Sequence, residues 1–157
     1  MLRLVLLASV LLVNAPLFAE TDRLTPAETE ARSALKSFIE AFDNLDLDKF
    51  RLAFDDNATV FYPRGIPERA TGRAAFEANF RKVFEQIRGN KTAAPYMDIQ
   101  PKNFELQMFG DVAVATFHLD DRAGFLNRRT LVLAKTGNGW KIVHLHASEV
   151  ALPGDKK

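Results

Sequence analysis

The sequence predicts an α+β domain in which helices come first and an antiparallel sheet follows, with the helices on one face of the sheet. Two observations carry this. Apolar residues recur at three-four spacing up to about residue 89, and beyond that they alternate in twos. A third observation sets the scale: 157 residues, 47% of them apolar, suffice for one core without staples.

The first 19 residues stand apart. Arg3 is their only charge, an apolar run follows from Leu4 to Val13, and Asn14 and Pro16 break it. This is the plan of a secretory signal peptide ending at Ala19, although Leu17 is large for the position three residues before the cut. As a membrane anchor the stretch is short. The expected domain is therefore 20–157, in a secreted or periplasmic compartment, with no membrane association after cleavage.

Thr25-Pro26-Ala27-Glu28 is a capping box with proline at the first helical position, and it starts a helix running to about Asn44. Ala31, Ala34, Leu35, Phe38, Ile39, Phe42 and Leu45 form its buried face. Asp46 caps a second, short helix expected through Phe54, with Leu47, Phe50 and Phe54 inward. Asp55-Asp56-Asn57 breaks the helix, and Thr59 to Tyr62 reads as a strand stopped by Pro63. Pro63 to Gly72, with two prolines and two glycines, is a loop. Thr71 then caps a third helix with Phe76, Phe80, Val83, Phe84 and Ile87 on one face, ending at Gly89.

Strands follow: Tyr96 to Met108, in one or two pieces around Pro101; Val112 to Leu119 after a Gly110-Asp111 turn; Asn127 to Lys135 after a loop from Asp120 to Gly124; and Trp140 to Val150 after the tight Gly137-Asn138-Gly139 hairpin. Pro153 to Lys157 reads as a tail.

Charge and composition exclude several functions. The chain has 21 basic and 20 acidic residues, and the surplus charge sits on Arg3, so the exported domain is formally neutral. Recognition of nucleic acid or membrane surfaces by bulk charge needs a basic excess that is absent. Without cysteine there is no disulfide, thiolate zinc site, cysteine nucleophile or lipidated cysteine. No glycine-rich phosphate loop, Ser-His-Asp set or zinc-helix motif occurs, and no cofactor is expected. Asn57-Ala58-Thr59 and Asn90-Lys91-Thr92 are glycosylation acceptors only in a host that glycosylates its exports.

The order of elements and the closing segment Gly139-Trp140-Lys141-Ile142-Val143-His144-Leu145-His146-Ala147-Ser148 resemble the SnoaL-like branch of the nuclear transport factor 2-like superfamily. Within it the chain is similar to the association domain of calcium/calmodulin-dependent kinase II. The resemblance spans roughly Thr25 to Val150; the Gly72 helix start and the Gly110-Asp111 turn agree in position. It implies a cone, with three helices packed in a strongly bent, mainly antiparallel sheet, a pocket open at one end, and dimerisation through the sheet. Ketosteroid isomerase, scytalone dehydratase, limonene epoxide hydrolase, polyketide cyclases and non-catalytic proteins share this superfamily, so fold alone leaves function open.

Position by position, the resemblance places Tyr62 where the kinase domain has an acidic residue, and Phe76 and Phe84 where it has a cavity histidine and tryptophan. His118 falls at a pocket arginine and Arg128 or Thr130 near another, while Ala147 replaces a third. The implied pocket is poorer in charge and more apolar.

Three chemical readings compete. First, Tyr62, Phe76, Phe84, His118 and Arg128 line a pocket for a small, partly apolar ligand. Second, His118 or Asp120 acts as base with Tyr62 as acid in an isomerase, cyclase or hydrolase, as in ketosteroid isomerase. His118 shares its strand face with Val112, Val114 and Thr116, an expected interior stripe, and Asp121 follows Asp120. The bland alternatives are a satisfied core histidine and two turn aspartates. Third, the sheet face with Trp140, His144 and His146 is an interaction surface, expected to form a homodimer. His144 and His146 point the same way on a strand, and with His118 they offer a conceivable metal set; a structural or interface role is the stronger reading. Arg64, Arg69, Arg122, Arg128 and Arg129 are candidates for a ring at the pocket mouth, against a default of solvated charge. The Phe-rich helix faces read as core.

Overall fold

The computed structural model describes residues 24–63, 66–90, 93–122 and 124–152, with side chains at 120–122 left aside. The signal-peptide reading of 1–19, the tail from Pro153, Arg64 and the side chains of Asp120, Asp121 and Arg122 therefore lie outside what is described.

Helix α1 runs Pro26–Asp43, and its Thr25 cap accepts from the Glu28 amide at 3.1 Å, as the capping box requires. Helix α2 is Leu47–Leu52, capped by Asp46. It ends two residues earlier than expected. Phe54 opens strand β1 (Phe54–Phe61), and Asp55-Asp56-Asn57 lies inside that strand. The reason is tertiary: Phe54 pairs with Ile142, so strand partners override the turn preference of three polar residues. Strand β2 is Ala70–Thr71, and helix α3 is Arg73–Asn90. Between them Gly72 takes φ +81, a conformation that favours glycine.

Four long strands complete the fold: β3 Lys102–Phe109, β4 Val112–Arg122, β5 Phe125–Thr136 and β6 Gly139–Ala151. The strand after Pro101 is thus a single piece. Strand β4 continues through the Asp120 to Arg122 stretch expected to be loop. The sheet order is β2-β1-β6-β5-β4-β3, antiparallel throughout except for the parallel β1–β6 pair. This is the expected α+β class, a six-stranded mixed sheet with the helices on one face.

An aromatic cluster fills the space between helices and sheet. Phe50 lies 4.5 Å from Phe80 and 5.3 Å from Phe38, ring centre to ring centre, and Phe54 lies 4.7 Å from Phe76. Edge and tilted contacts of this kind add to the stabilisation from burying the rings. Glu30 on α1 binds Lys135 Nζ at 2.9 Å and Trp140 Nε1 at 3.3 Å, fastening the helix to the β5–β6 hairpin.

One irregularity decides which residues reach the core. On the β5–β6 ladder Val132 pairs with His144, yet the next residue, Leu133, pairs with Ile142. The extra residue on β6 is a bulge, and it shifts the alternation by one. Trp140 and Ile142 are buried before the bulge, and Leu145 and Ala147 after it. The expectation that Trp140, His144 and His146 share one face is therefore corrected. The tryptophan is inside and the histidines are outside.

Candidate functional site

A cavity of about 470 Å³ opens between the helices and the inner face of the sheet. Its helical wall is Phe38, Ile39 and Phe42 of α1 with Phe80 and Val83 of α3. Its floor comes from the inward residues of three strands: Phe117 and Leu119 on β4, Asn127, Arg129 and Leu131 on β5, and Leu145, Ala147 and Glu149 on β6. Tyr62, Pro63 and Ile66 close one side, and Met97 and Ile99 the other. The segment carrying Met97 and Ile99 is pinned to the end of α1. There the Tyr96 amide donates to the Asp43 carbonyl at 2.7 Å and the Ile99 amide to Asp43 Oδ1 at 2.9 Å.

The polar groups are few and gathered at the sheet. Arg129 is partly buried; its Nη1 donates to the Arg128 carbonyl at 2.9 Å. Loss of water pulls its guanidinium down to about 10, an effect that the nearby Glu149 carboxylate opposes. It is still a cation at neutral pH. Asn127, 9% exposed, is the one buried polar residue among those described. The Tyr62 ring lies 5.3 Å from that of Phe80. Burial pushes its phenol up to about 12, with Asn79 acting in the other direction. Asn79 does not close a well-formed hydrogen bond, and Tyr62 Oη is buried without a partner among the described residues.

Of the pocket residues expected from the sequence, the structure brings Tyr62 to the cavity and takes the others elsewhere. Phe76 and Phe84, 0% and 2% exposed, are sealed in the aromatic core against Phe54 and against Phe42 and Phe50. His118 and Arg128 pair with each other across β4 and β5 on the opposite, outer face of the sheet. His118 Nδ1 lies 3.1 Å from Asn103 Nδ2. The stripe Val112, Val114, Thr116 and His118 thus faces outward, and Ala113, Ala115 and Phe117 form the interior one. His118 and Tyr62 stand on opposite sides of the sheet and do not meet as an acid–base pair.

His144 and His146 also lie outside. His144 Nδ1 is 2.7 Å from Thr59 Oγ1, and the Phe61 ring packs 5.9 Å from His144 and 5.5 Å from His146. Partial burial, then the charges of His146 and Arg69, hold His144 below the usual histidine range. Among the described residues no group of three His, Asp or Glu side chains is arranged to hold a metal.

Of the lining residues, Glu149, Asn127, Met97 and Ile99 were missed from the sequence, and Arg129 was expected only in a ring at the pocket mouth. A signal for three of them was present. Leu131 and Leu133 are the bulkier alternate set of β5, and counting back by twos from them reaches Arg129 and Asn127. Counting forward from Leu145 and Ala147 reaches Glu149.

The sequence profile of the SnoaL-like domain family matches residues 31–153. The chain belongs to the SnoaL-like domain family. Its fold is shared with a nuclear transport factor 2-like protein of unknown function from Pseudomonas putida KT2440, at 21% identity and TM-score 0.67, covering 83% of this chain and 92% of that one. A candidate ketosteroid isomerase from Parabacteroides distasonis is similar at 20% identity and TM-score 0.61, covering 84% and 93%. A candidate calcium/calmodulin-dependent protein kinase II association domain from Thiobacillus denitrificans is similar at 23% identity and TM-score 0.59, covering 76% and 94%. No curated protein matches the chain. At these identities the structures establish the fold of this SnoaL-like domain and leave its chemistry to its own residues.

Proposed function

We propose that this SnoaL-like domain is an exported, dimeric protein that binds a small, largely apolar molecule in the cavity. One observation carries the reading: a roughly 470 Å³ space walled by aliphatic and aromatic side chains, with Tyr62, Asn127, Arg129 and Glu149 as its polar groups. Size and lining of this kind suit a small ligand that buries an apolar body and is oriented by few polar contacts. The reading as an exported protein rests on the composition of residues 1–19. Dimerisation is supported by the outer sheet face, where Phe61 (37% exposed) and Val112 lie exposed beside Val114, Thr116, Thr130 and Val132, with no helix over them among the described residues. Among the described residues no helix is long and apolar enough to cross a membrane.

The test is direct. The protein, expressed with its leader, is purified from the exported fraction and titrated with the neutral fluorophore N-phenyl-1-naphthylamine. Saturable enhancement at one site per chain is the expected result. Absence of binding, with the circular dichroism of a folded protein, overturns the reading.

A further inference from the structure

The sequence holds three histidines, and the fold puts all of them on the outer face of the sheet. In the ladder His118 of β4 stands opposite Lys102 of β3 on one side and Arg128 of β5 on the other. On β6, His146 stands opposite Thr130 and Phe61, and His144 opposite Val132 and Thr59. The two β6 rings are 6.5 Å apart, centre to centre. Arg69, in the segment before β2, adds a positive charge near His144.

The carboxylates toward this face are few among the described side chains. Glu105 of β3 stands opposite Thr116, diagonal to His118, and Glu68 precedes Arg69. Asp55 and Asp56 lie where β1 bulges; Asp55 accepts from the Asn57 amide and Asp56 from Arg73. With the histidines neutral, charges of both signs sit around a middle made of Val114, Thr116, Thr130 and Val132. With the histidines protonated, only cations are added, and those of His144 and His146 lie directly beside that middle.

A standard protein–protein contact buries about 800 Å² on each partner. The outer face crosses five strands, from β1 to β3, and at ordinary spacings measures about 24 Å by 24 Å, which is less than that. A second copy docked on it must cover nearly all of it, histidines included. A two-fold contact brings the same surface from both copies, so each added charge is doubled across it.

We infer that the outer sheet face is a pH-gated contact between two copies of the chain, closed while His118, His144 and His146 are neutral and opened when they take up protons. This rests on the dimer proposed above. Taking a cation out of water without a partner charge is costly, and like charges repel more strongly there than in water. The dimer therefore binds fewer protons than two monomers, and its dissociation constant rises as pH falls through the histidine range. Carboxylates stay ionised over that range, so histidine is the side chain that changes.

Sedimentation equilibrium at pH 7.5 and pH 5.5, with circular dichroism to establish that the chain is folded at both, separates the gate from the dimer. The dissociation constant should rise by about tenfold or more at the lower pH. Adding salt to about 0.5 M should reverse part of that rise, because screening weakens the repulsion. With His118→Gln, His144→Gln and His146→Gln combined, the constant should be the same at both pH values. The double variant His118→Gln/His146→Gln keeps the Thr59–His144 contact and should show a smaller rise than the wild type. A wild type with one constant at both pH values, or a folded triple or double variant with the full wild-type rise, overturns the gate and leaves the dimer standing. A wild type that is monomeric at pH 7.5 overturns both.

Discussion

Thr59 Oγ1 and His144 Nδ1 lie 2.7 Å apart, joining the parallel pair β1 and β6 on the outer face of the sheet. One of the two donates to the other, and the site is only partly wet. Removing the hydroxyl in Thr59→Val leaves the imidazole without this partner. A loss of about 1 kcal/mol is expected from urea denaturation at pH 7.5.

The same histidine makes stability depend on pH in a defined direction. Its folded-state value lies below the ordinary 6.5 because of burial, His146 and Arg69. Above 6.5 both folded and unfolded chains hold it neutral, and its contribution to stability is fully present. As pH falls below 6.5 the unfolded chain takes up the proton more readily, so stability is lost. The urea midpoint of the wild type should fall more between pH 7 and pH 5 than that of His144→Gln. Equal slopes would show that His144 is not the group responsible.

Tyr62 gives the opposite sign at the alkaline end. Burial raises its phenol to about 12, so the neutral form is favoured in the fold. That contribution is complete below the ordinary value of 10 and disappears as pH rises toward 12. The difference between wild-type and Tyr62→Phe absorbance at the tyrosinate band should titrate near 12. A midpoint near 10 would mean that the phenol is open to water.

Phe50 is the hub of the aromatic core, fully buried and in contact with Phe38, Phe42, Phe54, Phe80 and Phe84. Phe50→Ala removes a ring whose neighbours on α1, α3 and β1 cannot all close in. A destabilisation of about 3–5 kcal/mol is expected, enough to leave much of a marginally stable domain unfolded at 37 °C. Thermal melting followed by circular dichroism measures it.

The outer face supplies the test of dimerisation. Val132 pairs with Val114 on one side and His144 on the other, near the middle of the outer face of the sheet. Val132→Glu places a charge there without touching the core. Sedimentation should change from dimer to monomer while the melting profile stays cooperative; an unchanged dimer would locate the contact elsewhere.

Much of the fold could be read from residue order alone. The capping box at Thr25, the Phe spacing on α1 and α3, and the Gly137-Asn138-Gly139 hairpin are local devices, and local physics places them correctly. The family resemblance carried by the segment from Gly139 to Ser148 also holds. Phe54 was misread because its neighbours are three polar residues, while its strand partner Ile142 is 88 positions away.

The candidate site shows where local reasoning stops. The sequence by itself determined that β4 and β5 alternate, but on β4 both sets are apolar: Val112, Val114 and Thr116 against Ala113, Ala115 and Phe117. Nothing local says which set meets the helices. Tertiary packing chose the one carrying two small alanines, and this sends His118 and Arg128 outward and Arg129 inward, because a strand's side chains change face at every residue. On β6 the bulge between Ile142 and His144 reverses the alternation midway, burying both Trp140 and Leu145. Sequence determined the residues available for a pocket, and the register of six strands decided which of two neighbouring arginines is in it.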